Sequence, residues 1–356
     1  QTGITPGTVT DPMSGGVINP ISTYPYPDFK PERTKSYEVG INARFLNGRI
    51  SFDGTFYQSN TYNQTFLSVM SPATGYSGFY VQAGNVRNRG VEMTLGYNDT
   101  FGKVNYSTHL TYTANQNKIV EMVHDYRNPI DNSLVNITEL TLKEAGDVYL
   151  REGYSMSDVF TTGILQRGRD GKLVEEGNGY QVDRSQRIRL GSADPDFTMG
   201  WRHDINYKNI SLGLMITGRF GGIVTSQTQA FMDAFGVSKV SAEARDNGGV
   251  MLDGHRYDAE RYYNTVGGQG LMSYYTYDAT NVRLQELSLT YSLPKKWLGD
   301  VFNNATISFV GRNLFMFYRK APFDPDMNGS TGTYNRSDFF MAPSLRNLGF
   351  SIKFSL

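Results

Sequence analysis

Ser36-Tyr37-Glu38-Val39-Gly40-Ile41-Asn42-Ala43-Arg44-Phe45, then Asn47-Gly48, then Arg49-Ile50-Ser51-Phe52-Asp53-Gly54-Thr55-Phe56-Tyr57-Gln58-Ser59, is the stretch that decides the fold. In its first half the odd positions Tyr37, Val39, Ile41, Ala43 and Phe45 are apolar, and the even positions are polar or small. Successive side chains of a strand point to opposite faces, so a period of two predicts one apolar and one wet face. Asn47-Gly48 supplies residues that accept the positive φ of a tight hairpin turn. The second half sets Ile50, Phe52 and Phe56 against Ser51, Asp53, Thr55 and Tyr57. The stretch is a β-hairpin.

The same grammar recurs along the chain. Gly90–Tyr97 sets Val91, Met93, Leu95 and Tyr97 against polar or small residues, and Val104–Thr113 does so with Val104, Tyr106, Leu110 and Tyr112. Phe197–Tyr207 and Ile210–Phe220 form a further hairpin through Lys208-Asn209. Val282 and Leu284 are even while Leu287, Leu289, Tyr291 and Leu293 are odd, a slip at Gln285-Glu286 that predicts a β-bulge. Ala305–Leu314 is a weaker strand, and Arg346–Leu356 alternates Leu348, Phe350, Ile352, Phe354 and Leu356 with polar or small residues. About nine strands of roughly ten residues result, the length a tilted strand needs to cross a bilayer.

The connections alternate too. Short links (Leu46–Gly48, Asn98–Lys103, Lys208-Asn209, Pro294–Asn303) take turns with long ones (Asn60–Arg89, Ala114–Asp196, Gly221–Asn281, Phe315–Leu345). Short turns on one side and long loops on the other characterise outer-membrane barrels, and loops of this length are uncommon in compact soluble domains. Within the third long link, Thr225–Val237 is weakly helical, with Phe231, Met232 and Phe235 apolar. Composition agrees: of 356 residues only 39% are hydrophobic, while 38 glycines, 24 tyrosines and 21 phenylalanines favour strands and turns over helices. Lys+Arg and Asp+Glu balance at 34 each, so no basic excess points to nucleic acid. The absence of cysteine excludes disulfides and thiolate metal sites, and no apolar run is long enough for a transmembrane helix.

Glu38, Arg44, Asp53, Glu92, His109, Arg202, Asp204, Arg219, Glu286 and Lys353 all fall on the polar face. A packed interior does not hold so many charges; a water-containing barrel lumen does. The competing structure is a soluble sandwich with one wet face. An odd number of hairpin-linked strands cannot close an antiparallel barrel, so further strands from elsewhere in a parent chain are expected.

Five segments then resemble a known family. Phe29-Lys30-Pro31-Glu32-Arg33-Thr34-Lys35-Ser36-Tyr37-Glu38-Val39-Gly40, Gly84-Asn85-Val86-Arg87-Asn88-Arg89-Gly90-Val91-Glu92 and Asp194-Pro195-Asp196-Phe197-Thr198-Met199-Gly200 resemble successive barrel motifs of TonB-dependent receptors. Ala279–Pro294 is similar to a SusC-type strand, and Gly311-Arg312-Asn313-Leu314-Phe315 with Phe323-Asp324-Pro325-Asp326 follows in family order. The resemblance is to the SusC-like TonB-dependent outer-membrane transporters. It implies an all-β, transmembrane, up-and-down antiparallel barrel of about 22 strands, of which residues 1–356 are the C-terminal part. The nine strands become roughly the fourteenth to the twenty-second. The plug domain and earlier strands lie outside the chain, Gln1–Pro31 is the tail of an extracellular loop, and the C-terminus is periplasmic.

The resemblance further implies a non-enzymatic importer of Bacteroidetes type. A SusD-like surface lipoprotein acts as its lid, and TonB pulls on the missing plug. Oligosaccharides are the expected substrate by family frequency, with oligopeptides the alternative; a passive porin-type barrel in outer-membrane lipid is a third possibility. Four scattered histidines (His109, His124, His203, His255) and Glu175-Glu176 in a Gly-rich loop form no catalytic motif, so no catalytic residue, cofactor or metal is assigned. Asp324, Asp326 and Asn328 before Gly329 imitate the opening of a calcium loop, but Asn335 stands where the bidentate glutamate belongs, and a structural role is preferred. The candidate substrate-contacting residues are the loop aromatics Tyr262, Tyr263, Tyr274, Tyr275, Phe339 and Phe340, because flat rings offer apolar faces to sugar rings or peptide side chains.

Overall fold

The computed structural model describes residues 9–10, 17–18, 23, 29–69, 76, 78–127, 133–142, 148–298, 302–326 and 337–355. Nine strands form its main sheet: β1 (Arg33–Phe45), β2 (Ile50–Tyr62), β3 (Asn85–Phe101), β4 (Val104–Glu121), β5 (Phe197–Tyr207), β6 (Ile210–Phe220), β7 (Asn281–Ser292), β8 (Asn304–Arg319) and β9 (Asn347–Ser355). Every strand pairs antiparallel with its neighbour in the chain, in the order β1 to β9, so the sheet is an up-and-down wall with β1 and β9 at its edges. The expected tail Gln1–Pro31 lies almost wholly outside the described residues, as does Leu356.

Register carries the two-faced pattern across the whole wall. Val39 pairs with Phe56, and Phe56 with Val91. Leu95 pairs with Leu110, and Leu110 with Trp201. Trp201 pairs with Ile216, Ile216 with Leu284, and Leu284 with Phe315. The apolar face is left bare: Val39 is 73% exposed and Phe350 67%. On the opposite face one lateral row runs Arg44, Ser51, Gly96, His109, Arg202, Met215, Glu286, Arg312, Asn347. A one-residue slip would exchange these sets, so the apolar band itself holds the register.

The bulge falls where the phase slip places it. Met215 pairs with Glu286 and Ile216 with Leu284, leaving Gln285 as the extra residue. Glycine lets the polar face accommodate large side chains. Tyr57 of β2 reaches over Gly90 of β3 to donate to Asn115 of β4 at 3.2 Å, and a Cβ on Gly90 would meet the Tyr57 ring.

Three strands extend furthest beyond their alternation. β3 and β4 run to Asn85 and Glu121 at their loop ends, and β8 to Arg319. The expected link Asn98–Lys103 shrinks to Gly102-Lys103, because Asn98 to Phe101 stay paired with Val104 to Ser107. Beyond the apolar band the outward positions become polar, which erases the period of two while the backbone ladder continues.

Candidate functional site in the loop cap

The buried hydrophobic clusters of the described residues lie chiefly in the long loops at one end of the wall. The first (63–84) and second (122–196) loops share a four-stranded sheet in which Val148–Arg151, Glu139–Leu142, Gln64–Val69 and Gly78–Ala83 lie side by side. It covers Phe66, Val81, Val86, Ile119, Met122 and Leu150. The third loop (221–280) and the fourth (320–346) are joined by Ile223–Ser226, which lies between Thr276–Asp278 and Ser337–Asp338. Ser226 Oγ donates to Asp338 Oδ2 at 2.7 Å across that junction.

The third loop holds three short helices, α1 (Gln227–Ala234), α2 (Lys239–Asp246) and α3 (Ala259–Val266). Ser226, Ser238 and Asp258 cap them, each side chain accepting a hydrogen bond from a first-turn amide. Only α1 was foreseen from the sequence. The signal for α3 was present: Asp258 precedes Ala259, Tyr262, Tyr263 and Val266, whose spacing makes one apolar helix face. That face packs with Leu165, Leu173 and Tyr180 of the second loop, so the loops form one interlocked cap.

The cap separates the six candidate aromatics. Tyr262, Tyr263 and Tyr275 are buried in the cap's core. Tyr262 meets Tyr263 edge to face at 5.2 Å, and the Tyr274 hydroxyl accepts the Leu165 amide at 3.1 Å. Burial pushes the Tyr262 and Tyr275 hydroxyls well up, and takes Tyr277 up to about 12, with the Asp233 carboxylate acting in the same direction. These buried tyrosines hold the cap together in this structure. Tyr274 is partly exposed. Phe339 and Phe340 are 52% and 62% exposed. They form a ring cluster with Phe231 of α1, at centroid distances of 6.0, 5.8 and 5.3 Å. The Phe340 amide donates to Thr228 Oγ1 at 2.6 Å, fixing the fourth loop to α1. Phe231 thus joins the candidate surface through a contact between loops that sequence spacing does not reveal.

The acidic segment is paired with a buried arginine. Arg283, 6% exposed, donates from Nη2 to Asp324 at 2.9 Å and to Asp326 at 2.6 Å, and from its other nitrogens to Asn281 and Asn313. Burial alone would raise the Asp324 carboxyl; hydrogen bonds from Ser344, the Asp326 amide and Arg283 overcome it and hold it below the usual range. A guanidinium therefore occupies these carboxylates, while Asn328, Gly329 and Asn335 lie outside the described residues. Glu175 pairs with Arg261 at 3.0 Å, and among the described residues no group of three or more His, Cys, Asp or Glu is arranged to hold a metal.

Residues 2–217 match the family model described as TonB dependent receptor-like, beta-barrel. The chain belongs to the TonB-dependent receptor β-barrel family. Among curated relatives, this receptor barrel is 25% identical to TonB-dependent receptor P3 of Formosa agariphila, covering 97% of the chain and 36% of that protein. It is also 25% identical to TonB-dependent receptor P26 of the same organism, covering 84% of the chain and 32% of that protein. The chain thus spans about a third of the length of these relatives. Among solved structures the receptor barrel resembles the RagAB peptide transporter, with a TM-score of 0.67 at 15% identity over 99% of this chain and 38% of that one. The RagAB importer in its "open-open" state gives 0.66 at 17% identity. These likenesses fix the fold as part of an outer-membrane receptor barrel, not a soluble sandwich, and the bare apolar face is its lipid-facing side.

Proposed function

We propose that this chain is the C-terminal wall and outer loops of a SusC-like TonB-dependent importer that takes up oligosaccharides across the outer membrane. In this reading the plug and the earlier strands belong to the rest of the same transporter, and TonB acts through that plug. The short turns and the C-terminus are periplasmic, and a SusD-like lipoprotein closes over the loops. The observation that carries the proposal is the cap: long loops gathered at one end of the wall and interlocked, with the Phe231, Phe339 and Phe340 rings left at the surface. A rigid platform bearing exposed rings is suited to contact an oligomeric nutrient or a lid. The oligopeptide alternative draws support from the RagAB likeness, since that protein is described as a peptide transporter.

The test uses the full-length transporter. Phe339→Ala with Phe340→Ala should leave membrane insertion intact and lower either nutrient uptake or co-purification of the lipoprotein. Supplying defined oligosaccharides and oligopeptides separately distinguishes the two substrate classes. Deleting Tyr262–Tyr275 is a poorer probe, because it removes core residues of the cap along with any contact surface. Unchanged uptake and unchanged lid association in the double variant would place recognition on the lumen wall and plug instead.

A further inference from the structure

Above the apolar band, the outward-facing side of β1 to β4 changes character abruptly. Val39, Phe56, Val91 and Ala114 form the last apolar row. The next outward row reads Tyr37, Gln58, Arg89, Gln116, and the one beyond it Lys35, Asn60, Arg87, Lys118. Arg33 stands one pleat higher on β1. Among the described residues no carboxylate lies within ion-pair distance of these five cations; Arg89 is held by Gln116 at 2.8 Å, and Lys35 rests 5.6 Å from the Tyr62 ring. On the lumen face, by contrast, Arg202 and Arg312 are paired with Asp204 and Glu286.

A groove of about 680 Å³ opens at the same level. It is lined by Phe56, Val91 and Ala114 of the lipid-facing band, by Gly90, Asn115 and Asn117 of the opposite face, and by Arg89, Gln116 and Lys118. Arg189 and Asp158 on another wall neutralise each other at 2.7 Å; Asp194 and Asp196 also line it. An amphipathic groove continuous with the lipid band, rimmed on one side by unpaired cations, matches a ligand with phosphate at the surface and hydrocarbon below. We infer that the outer rim of β1 to β4 binds the phosphate of an outer-leaflet glycolipid, with Arg87, Arg89 and Lys118 as its principal contacts. The site goes beyond the importer reading, because Arg87, Arg89 and Lys118 stand in the outward-facing rows of β3 and β4 and not among the lumen-facing ones.

Phosphorylated lipid A serves as the probe, added to the detergent-purified full-length transporter and counted as adducts by native mass spectrometry. Wild type should retain it, and R87Q/R89Q/K118Q should lose about a hundredfold in affinity, the scale expected of three cations at a charged headgroup layer. Dephosphorylated lipid A should bind wild type as weakly as the variant binds the phosphorylated form. Inorganic phosphate at equal concentration should not displace the lipid; displacement would mean a free-phosphate site and overturn the assignment. Equal retention by wild type and variant, or no preference for the phosphorylated lipid, would also overturn it. Should the triple variant fail to reach the heat-modifiable form, R33Q/K35Q tests the same surface at two exposed side chains, with a roughly tenfold loss expected.

Discussion

Arg283 shows how a residue readable only as part of a family motif acquires a physical role. Its guanidinium ties β7 to the acidic segment after β8, and removing it would leave Asp324 half-buried without its counter-charge. A more exposed pair offers a test by pH. His124 Nε2 lies 2.7 Å from Glu152 Oε2, and the Met122 amide donates to that same oxygen at 3.1 Å. The Glu152 hydrogen bond raises the His124 imidazole above its ordinary value. Burial pushes the Glu152 carboxyl up, but the bonds from His124 and Met122 outweigh it and leave it lowered. The histidine contribution is therefore complete below the ordinary imidazole value and lost as pH rises through the raised one. The glutamate contribution is complete above the ordinary carboxylate value and lost as pH falls through the lowered one. Protection of the Met122 amide against hydrogen exchange should fall as pH rises through the raised imidazole value, and H124A should flatten that dependence. A profile identical in both proteins would show that the ion pair does not hold the segment. At this scale the sequence was least informative: Tyr262 and Phe339 look alike in a loop, and only the helical face of α3 turns the first inward.

Strands were legible because each outward side chain meets lipid, so the period of two is enforced along the whole apolar band. Legibility ended where that force ended. At the loop ends of β3 and β4 the outward residues are Arg89, Arg87, Gln116 and Lys118, and nothing in their polarity distinguishes strand from loop. The helices α2 and α3 were missed for a related reason: each is eight residues long and is stabilised by its cap and by packing within the loop cap. The wall makes a depth-resolved prediction. Ile216 lies midway along β6, between Trp201 and Leu284, whereas Ile210 adjoins the tight turn at Lys208-Asn209. Arginine at Ile216 should destabilise the inserted barrel by about 2–4 kcal/mol, and at Ile210 by about 0–1 kcal/mol. Folding titrations of the full-length transporter into lipid vesicles would measure both, and equal costs at the two depths would contradict the lipid-facing assignment.

At the scale of the whole molecule, the wall and the cap are stabilised in different ways. The cap has buried clusters of its own, contributed by all four loops. The wall has two exposed faces and two unpaired edges, β1 and β9, which in the described residues do not meet. In a bilayer an open edge leaves backbone amides and carbonyls without partners, each at a cost of several kcal/mol. A closed barrel therefore requires strands beyond these nine, as the coverage of only about a third of each relative also indicates. Expressed alone, residues 1–356 should not give a sealed, monodisperse barrel, and should associate through the β1 and β9 edges. Co-expression with the remainder of the transporter should restore a heat-modifiable species, because the missing strands supply hydrogen-bond partners to both edges at once. The cap should respond differently: its core does not depend on edge closure, so protease resistance of segments 158–192 and 223–280 should persist even where the wall fails to seal. Sharp heat-modifiable migration with unit conductance from this chain alone would contradict the open wall, and simultaneous loss of cap protection and barrel closure would show that the cap depends on the sealed wall.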